Sequence, residues 1–130
     1  MTEARRLRGT AARLSGRRAE IVAALWLMAK GYRILALRLR TPIAEIDVVA
    51  RRGRVLAAVE VKTRGTLDAA LAAVGADQRL RLRLRRALVA FAARRPGLKN
   101  AVLRLDLMAL APKRLPRHIP DAWSEDRPAG

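Results

Sequence analysis

Asp47, Glu60 and Lys62 are the residues of this chain best placed to do chemistry. Glu45-Ile46-Asp47 sits on one apolar, β-like segment, and Glu60-Val61-Lys62 on the next, with a short turn of Arg and Gly between them. The rest of the sequence is basic: 28 Lys and Arg against 11 Asp and Glu, a net charge of +17. Carboxylates grouped in so basic a chain suggest a divalent cation. A cation site in a basic chain suggests work on a phosphate backbone. The inventory narrows the ion. There is no cysteine and a single histidine, His118, which excludes disulfides, thiolate catalysis, zinc–thiolate sites and a histidine cluster. The remaining oxygen donors point to Mg²⁺ or Mn²⁺.

Side chains alternate along a strand, so Glu45 and Asp47 share one side, and Glu60 and Lys62 share one side. A turn centred on Arg52-Gly53 pairs Ala50 with Val55, Val48 with Ala57, and Ile46 with Val59. All six are apolar and form the expected core face. The opposite face then presents Glu45 and Asp47 beside Ala58, Glu60 and Lys62, with Glu45 opposite Glu60 and Asp47 diagonal to it. Carboxylates so close repel unless neutralised. With an ion there, Asp47 and Glu60 are the expected ligands and the Val61 carbonyl a third. Lys62 is expected to orient the attacking water and stabilise negative charge around phosphorus. Glu20 is the expected further member, because it is the lone charge between Ala19 and Ala29. Glu45 is expected to serve an arginine rather than the ion.

The site requires a scaffold, and the chain supplies one in order. Ser15 or Gly16 opens a helix whose apolar positions Ile21, Val22, Leu25, Met28 and Ala29 keep helical spacing, and Gly31 stops it. Tyr32 to Leu39 alternates as an edge strand broken by Thr41-Pro42. Glu45–Ala50 and Arg54–Val61 form a hairpin. Thr66 caps a second helical region, with Asp68 in its first turn and Gly75 interrupting it. Arg79 to Arg85 has a period of two, but Leu80, Leu84, Ala87, Leu88 and Phe91 continue at helical spacing, so helix is the favoured reading. It exposes a stripe of Arg79, Arg83 and Arg86, a candidate phosphate-binding surface. Ala101 to Leu110 is a strand with Arg104 and Asp106 on one side. The sum is an α/β fold, a mixed β-sheet flanked by helices.

At 130 residues the chain is long enough for one core. Residues 1–14 read as a basic arm, 15–111 as a nucleic-acid-binding domain, and 112–130 as a Pro-containing irregular tail anchored by Ile119 and Trp123, with His118 exposed. Most of the cationic charge is arginine, whose planar fork suits phosphate oxygens. No uncharged apolar run reaches the ~18 residues of a membrane span, and no secretion signal is legible, so a cytoplasmic protein with no membrane partner is expected. Nucleic acid is the expected partner. A domain of this size covers little duplex alone, which makes a homodimer the natural form for a two-stranded substrate.

These residues also match a family pattern. Gly16 with Glu20, Gly31-Tyr32, Glu45-Ile46-Asp47, Val59-Glu60-Val61-Lys62-Thr63-Arg64 and Arg104-Leu105-Asp106 together resemble the bacterial YraN-like family over roughly residues 14 to 110. That family is placed among predicted endonucleases of the PD-(D/E)XK superfamily, related in fold to restriction enzymes and Holliday-junction resolvases. The resemblance implies a restriction-endonuclease-like domain and phosphodiester hydrolysis, on DNA rather than RNA. Residues matching Asp47 and Glu60 bind the metal there, the one matching Lys62 assists catalysis, and an acid matching Glu20 often joins them. Arg64, Gln78, Arg79, Arg83 and Arg86 are the candidate nucleic-acid contacts. The chain departs from the pattern at Ala44, where Gly is usual, at Ala58, where an aromatic is common, at Leu105 in place of Phe, and at Asp77-Gln78 in place of Lys-Gln. Because the superfamily contains members that bind without cutting, a non-catalytic module on the same fold, or a basic protein docking on RNA or protein, stays open.

Overall fold

The computed structural model describes residues 17–73 and 78–123. Five strands form one sheet in sequence order: β1 (Arg33–Arg40), β2 (Glu45–Arg52), β3 (Val55–Thr63), β4 (Val102–Leu110) and β5 (Arg117–Ile119). All neighbours are antiparallel except β3 and β4, which run parallel. A parallel pair needs a long crossover, and the segment with helices α2 (Leu67–Ala72) and α3 (Gln78–Ala93) provides it. Helix α1 occupies residues 17–29. The α/β mixed sheet read from the sequence is therefore the fold observed. The arm at 1–14, the helix start at Ser15 or Gly16, and Gly75 and Asp77 lie outside the described residues.

Both faces of the sheet are buried. Ala19, Ala23 and Leu27 of α1 pack on Val48, Ala50, Ala57, Val59 and Met108. On the other side, Leu84, Ala87, Leu88 and Phe91 of α3 pack on Ile46, Val49, Leu56, Ala58 and Leu105. This corrects the single core face expected of the hairpin. Alternation separates two helix-covered layers, not core from solvent, so Ala58 belongs to the core under α3 and not to an open site face. Helix α3 buries the face its spacing indicated. Helix α1 does not: its sheet-facing side is the small one, and Ile21, Val22, Leu25 and Met28 face outward. Close approach of a helix to the flat sheet favours alanine at the contact, and a reading by size selects the wrong side.

Local signals held where they rest on backbone chemistry. Gly31 has φ +90, and the bonds Gly31 N–H to Met28 O (3.0 Å) and Tyr32 N–H to Leu27 O (3.0 Å) close a Schellman motif at the end of α1. Thr66 caps α2, its hydroxyl accepting from Ala69 N–H at 3.1 Å. The hairpin register differs from expectation by two residues. Ala50 pairs with Ala57, and Arg52 with Val55, so the loop is Gly53-Arg54. A two-residue loop with glycine at its first central position suits Gly53, whose φ is +60. The parity survives, but the partner of each carboxylate changes.

Past the fourth strand the chain is less irregular than its prolines indicated. Arg117–Ile119 pairs with Leu107–Ala109 as β5, and His118 is almost wholly buried, not exposed. Trp123 packs against the core under α3, as expected of an anchor.

Candidate functional site

Asp47 sits where β2 and β3 cease to pair. The last paired residues are Val48 and Val59, so the next position sets Asp47 against Glu60. Here the Val61 N–H is donated to the Asp47 carboxylate at 2.8 Å. The alternation of β2 breaks at the same point: Ile46 joins the core under α3, whereas Val48 joins the core under α1. On the neighbouring strand Arg38, level with Asp47, has φ +49, a conformation uncommon outside glycine. The irregular stretch re-aims side chains, as a bulge does.

The result is a convergence of acids. Carboxylate oxygens of Glu20, Glu45 and Asp47 all lie within 4.8 Å of one another. Glu20 comes from α1 and is buried, so the helix brings the lone acid of its apolar stretch onto the end of β2. Glu60 does not join that trio. Its carboxylate meets Lys62 Nζ at 3.1 Å instead. It still feels the cluster: burial pushes the Glu60 carboxyl up, and the charges of Asp47 and Glu45 push it further, against Lys62. Burial also raises Asp47, partly opposed by the Val61 N–H and Lys62. Burial raises Glu20, with Asp47 and Glu45 adding to it and Arg38 opposing. Three carboxyls held above their ordinary range, each chiefly by burial, mark a candidate functional site.

Two arginines already approach it. Arg38 Nε lies 3.1 Å from Glu20 Oε2 and 4.0 Å from Glu45 Oε1, and Arg40 Nε lies 3.9 Å from Glu45 Oε2. Glu45 thus serves arginines, as read from the sequence, and it also belongs to the acidic trio, which the sequence reading underrated. Arg38 was not singled out at all. Its only signal was its place in the edge strand. All-oxygen donors of this kind suit a hard cation such as Mg²⁺ or Mn²⁺. Glu20, Glu45 and Asp47 could share such an ion, with Glu60 and Lys62 at its border.

The candidate nucleic-acid contacts lie on α3 and just after β3. Arg79, Arg83 and Arg86 are exposed along α3, in the layer opposite α1. Gln78 opens the same helix and accepts from Arg81 at 3.5 Å. Arg64 follows β3, two residues beyond Lys62, with its guanidinium on the Thr63 carbonyl at 2.8 Å.

A second charged network lies on β4 and was read only in part. Asp106 is fully buried. Its Oδ1 accepts from Arg104 Nε (2.8 Å) and Asp121 N–H (3.0 Å), and its Oδ2 from Arg104 Nη2 (2.8 Å) and His118 Nε2 (2.8 Å). Arg104 also donates to the Tyr32 hydroxyl. Lys30 Nζ meets His118 Nδ1. An ammonium only donates and a carboxylate only accepts, so His118 carries its proton on Nε2. Burial pushes the Asp106 carboxyl up, but His118, Arg104 and the Asp121 N–H outweigh it and hold it below its ordinary value. This network ties β5 and the α1–β1 junction to β4. It is an internal strut, not a site.

Comparison with known proteins bears on the whole domain. A UPF0102 protein of Caulobacter vibrioides (strain NA1000 / CB15N) is 63% identical over 119 residues, which are 92% of this chain and 94% of that one. A UPF0102 protein of Caulobacter sp. (strain K31) is 66% identical over 116 residues, 89% of this chain and 82% of its own. One from Paramagnetospirillum magneticum (strain ATCC 700264 / AMB-1) is 51% identical over 120 residues, 89% and 92% of the two chains. The model of the family described as "Uncharacterised protein family UPF0102" matches residues 19–110, which run from the start of the α1 core contact to the last residue of β4. This chain belongs to the UPF0102 family.

Proposed function

We propose that this protein is a metal-dependent phosphodiester hydrolase acting on nucleic acid, DNA rather than RNA, with a restriction-endonuclease-like arrangement of its sheet. The observation that carries this reading is the meeting of Glu20, Glu45 and Asp47 within 4.8 Å beside the Glu60–Lys62 pair, in a chain of net charge +17. Like charges gathered so closely cost stability, which a purely structural face has no reason to accept. Asp47 with Glu20 and Glu45 would hold Mg²⁺ or Mn²⁺, and Glu60 would face the ion from β3. An ion there supplies positive charge where a phosphoryl oxygen accumulates negative charge.

The chain's own residues do the rest. The Val61 N–H fixes the Asp47 carboxylate at the strand divergence. Lys62, about one-quarter exposed, can turn its ammonium from Glu60 to an attacking water or to a phosphate oxygen. Arg38 reaches the trio from the edge strand and serves as a second phosphate contact once an ion takes over its acids. Arg79, Arg83 and Arg86, with Arg64 and Gln78, position the backbone of the substrate.

The test is cleavage of single-stranded and branched DNA with Mn²⁺, comparing the wild type with Asp47→Asn and Glu60→Gln. Activity that needs Mn²⁺ and disappears in both variants supports the reading. The alternative is a module that binds without cutting. It is favoured by the Glu60–Lys62 ion pair, which occupies two groups that hydrolysis requires. Binding retained by both variants, with no cleavage by any form, would select that alternative.

A further inference from the structure

Helix α1 has two apolar faces, and the fold covers one of them. Ala19, Ala23 and Leu27 lie against the sheet. Ile21, Val22, Leu25 and Met28 follow the spacing i, i+1, i+4, i+7 and so form one strip on the outer side. They are 50%, 43%, 59% and 54% exposed. Glu20 is the only charge from residue 19 to residue 29, and it points inward to Arg38. A helix that is apolar all round is normally buried all round. Among the described residues, none covers this strip.

We propose that a second copy of this chain covers it, α1 packing on α1 across a two-fold axis. The charge distribution favours a copy over other occupants. Two chains of net charge +17 repel each other over most of their surfaces, and the strip between residues 19 and 29 of α1 carries no cation on either copy. A lipid surface is a poorer match, because interfacial helices carry cations along the border of the apolar strip. Here cations stand only at the two ends, Arg17 and Arg18 before it and Lys30 after it. The strip also suits an isologous contact, which brings the same patch of each subunit together. The four side chains offer roughly 300–400 Å², a size at which an exposed apolar patch on a monomer is often functional. Two copies total roughly 600–800 Å², so the shoulders of the helix must add area to reach the ~1,200 Å² of a small specific interface. The dimer is accordingly weak, with a dissociation constant on the order of micromolar.

The experiment is sedimentation of the full chain across a concentration series, without nucleic acid or divalent ion, so its outcome is independent of the acidic site. The mass should rise from 14.4 kDa towards twice that value. Association should tighten between about 0.1 and 0.5 M salt, because screening weakens the repulsion and leaves apolar burial intact. This is the reverse of the salt effect on nucleic-acid binding. Leu25→Arg with Met28→Arg should weaken association at least ~30-fold with an unchanged circular dichroism spectrum, since both side chains are half-exposed. If that variant fails to fold, Ile21→Ala with Leu25→Ala tests the same strip while keeping good helix formers. A wild type that stays monomeric up to about 1 mM, a dimer indifferent to the folded variant, or a monomer that instead binds anionic vesicles through this strip would each overturn the proposal.

Discussion

Replacing Asp47 by Asn should make the protein more stable and less able to hold a metal. Asparagine keeps an oxygen for the Val61 N–H bond and removes one charge from the trio. The oxygens of Glu20 and Glu45 lie within 4.8 Å of that charge. At this distance each like-charge pair repels by about 1 kcal/mol in water and about 3–4 kcal/mol at an effective dielectric near 20. Arg38 and Lys62 offset much of this, leaving a net gain of about 1–2 kcal/mol for the variant in chelator, or roughly 4–8 °C in Tm. The pH dependence has a definite sign. Burial, with Glu45 adding to it, holds the folded-state pKa of Asp47 above its unfolded value. The stability this lends the wild type is complete below the unfolded pKa and is lost as pH rises through the folded one. The advantage of Asp47→Asn should therefore be full at neutral pH and vanish in acid. Mn²⁺ should raise the wild-type Tm, by the equivalent of about 2.7 kcal/mol at a hundred times Kd, and leave the variant little changed. Differential scanning fluorimetry across pH, with and without Mn²⁺, reads all of this. A variant that melts below the wild type in chelator would show the carboxylate to be a structural acceptor. An equal Mn²⁺ shift in both proteins would remove Asp47 from the ion.

Asp106→Asn should behave in the opposite way and destabilise by about 3–5 kcal/mol, because an amide NH₂ would face two of the four donors now bound to the carboxylate. Urea unfolding measures it, and a loss below ~1 kcal/mol contradicts the strut. Because the folded pKa of Asp106 is held low, the wild-type advantage should be present above the unfolded pKa and disappear as pH falls through the folded one. Lys62→Met should lower cleavage by about 10²–10³-fold with little change in substrate affinity, whereas an unchanged rate would remove Lys62 from the chemistry. Replacing Arg79, Arg83 and Arg86 together by Ala should reduce the slope of log K against log salt by about 2–3, and a slope that stays constant would place the nucleic acid elsewhere. Gly31→Ala should lose about 1 kcal/mol in thermal unfolding, because φ +90 is strained for any side chain; an unaltered Tm would contradict that.

What the sequence revealed depended on how local its cause was. Gly31, Thr66 and the α3 face Leu84, Ala87, Leu88 and Phe91 are set by the chain within one or two turns, and they were read correctly. The hairpin was found, but Gly53 moved its centre by one residue and so moved Glu60 from opposite Glu45 to opposite Asp47. The burial of Ala58 follows from the crossover that lays α3 on the second face, and no pattern within β3 announces it. The inner face of α1 was misread because side-chain size outweighed the tight helix–sheet approach that selects Ala19 and Ala23. The nearness of Asp47, Glu60 and Lys62 to one another was legible from parity, and the inward aim of Glu20 from its being a lone charge. Arg38 and His118 were not, because each draws its role from contacts with residues on other elements, Arg38 with Glu20 on α1 and His118 with Asp106 and Lys30.

The two acid clusters on this sheet differ in one countable respect, the number of donors each carboxylate receives. Asp106 has four donors for two oxygens, and two of them belong to one guanidinium. Its ionised form is the favoured one despite complete burial. Asp47 has one backbone donor and like-charged neighbours, so its ionised form is disfavoured although it is less buried. Burial pushes both upward, and the supply of positive charge decides the outcome. Arg38 reaches only the edge of the trio, at 3.1 and 4.0 Å from two of its three acids. Net charge cannot explain the shortage, since the chain has arginine in excess. Arg38, Arg40 and Lys62 stand at the margins of the trio, and none of them saturates it as Arg104 saturates Asp106. Under the proposed function a divalent cation completes that neutralisation, and this is why the stability gain of Asp47→Asn and its loss of Mn²⁺ response should appear together.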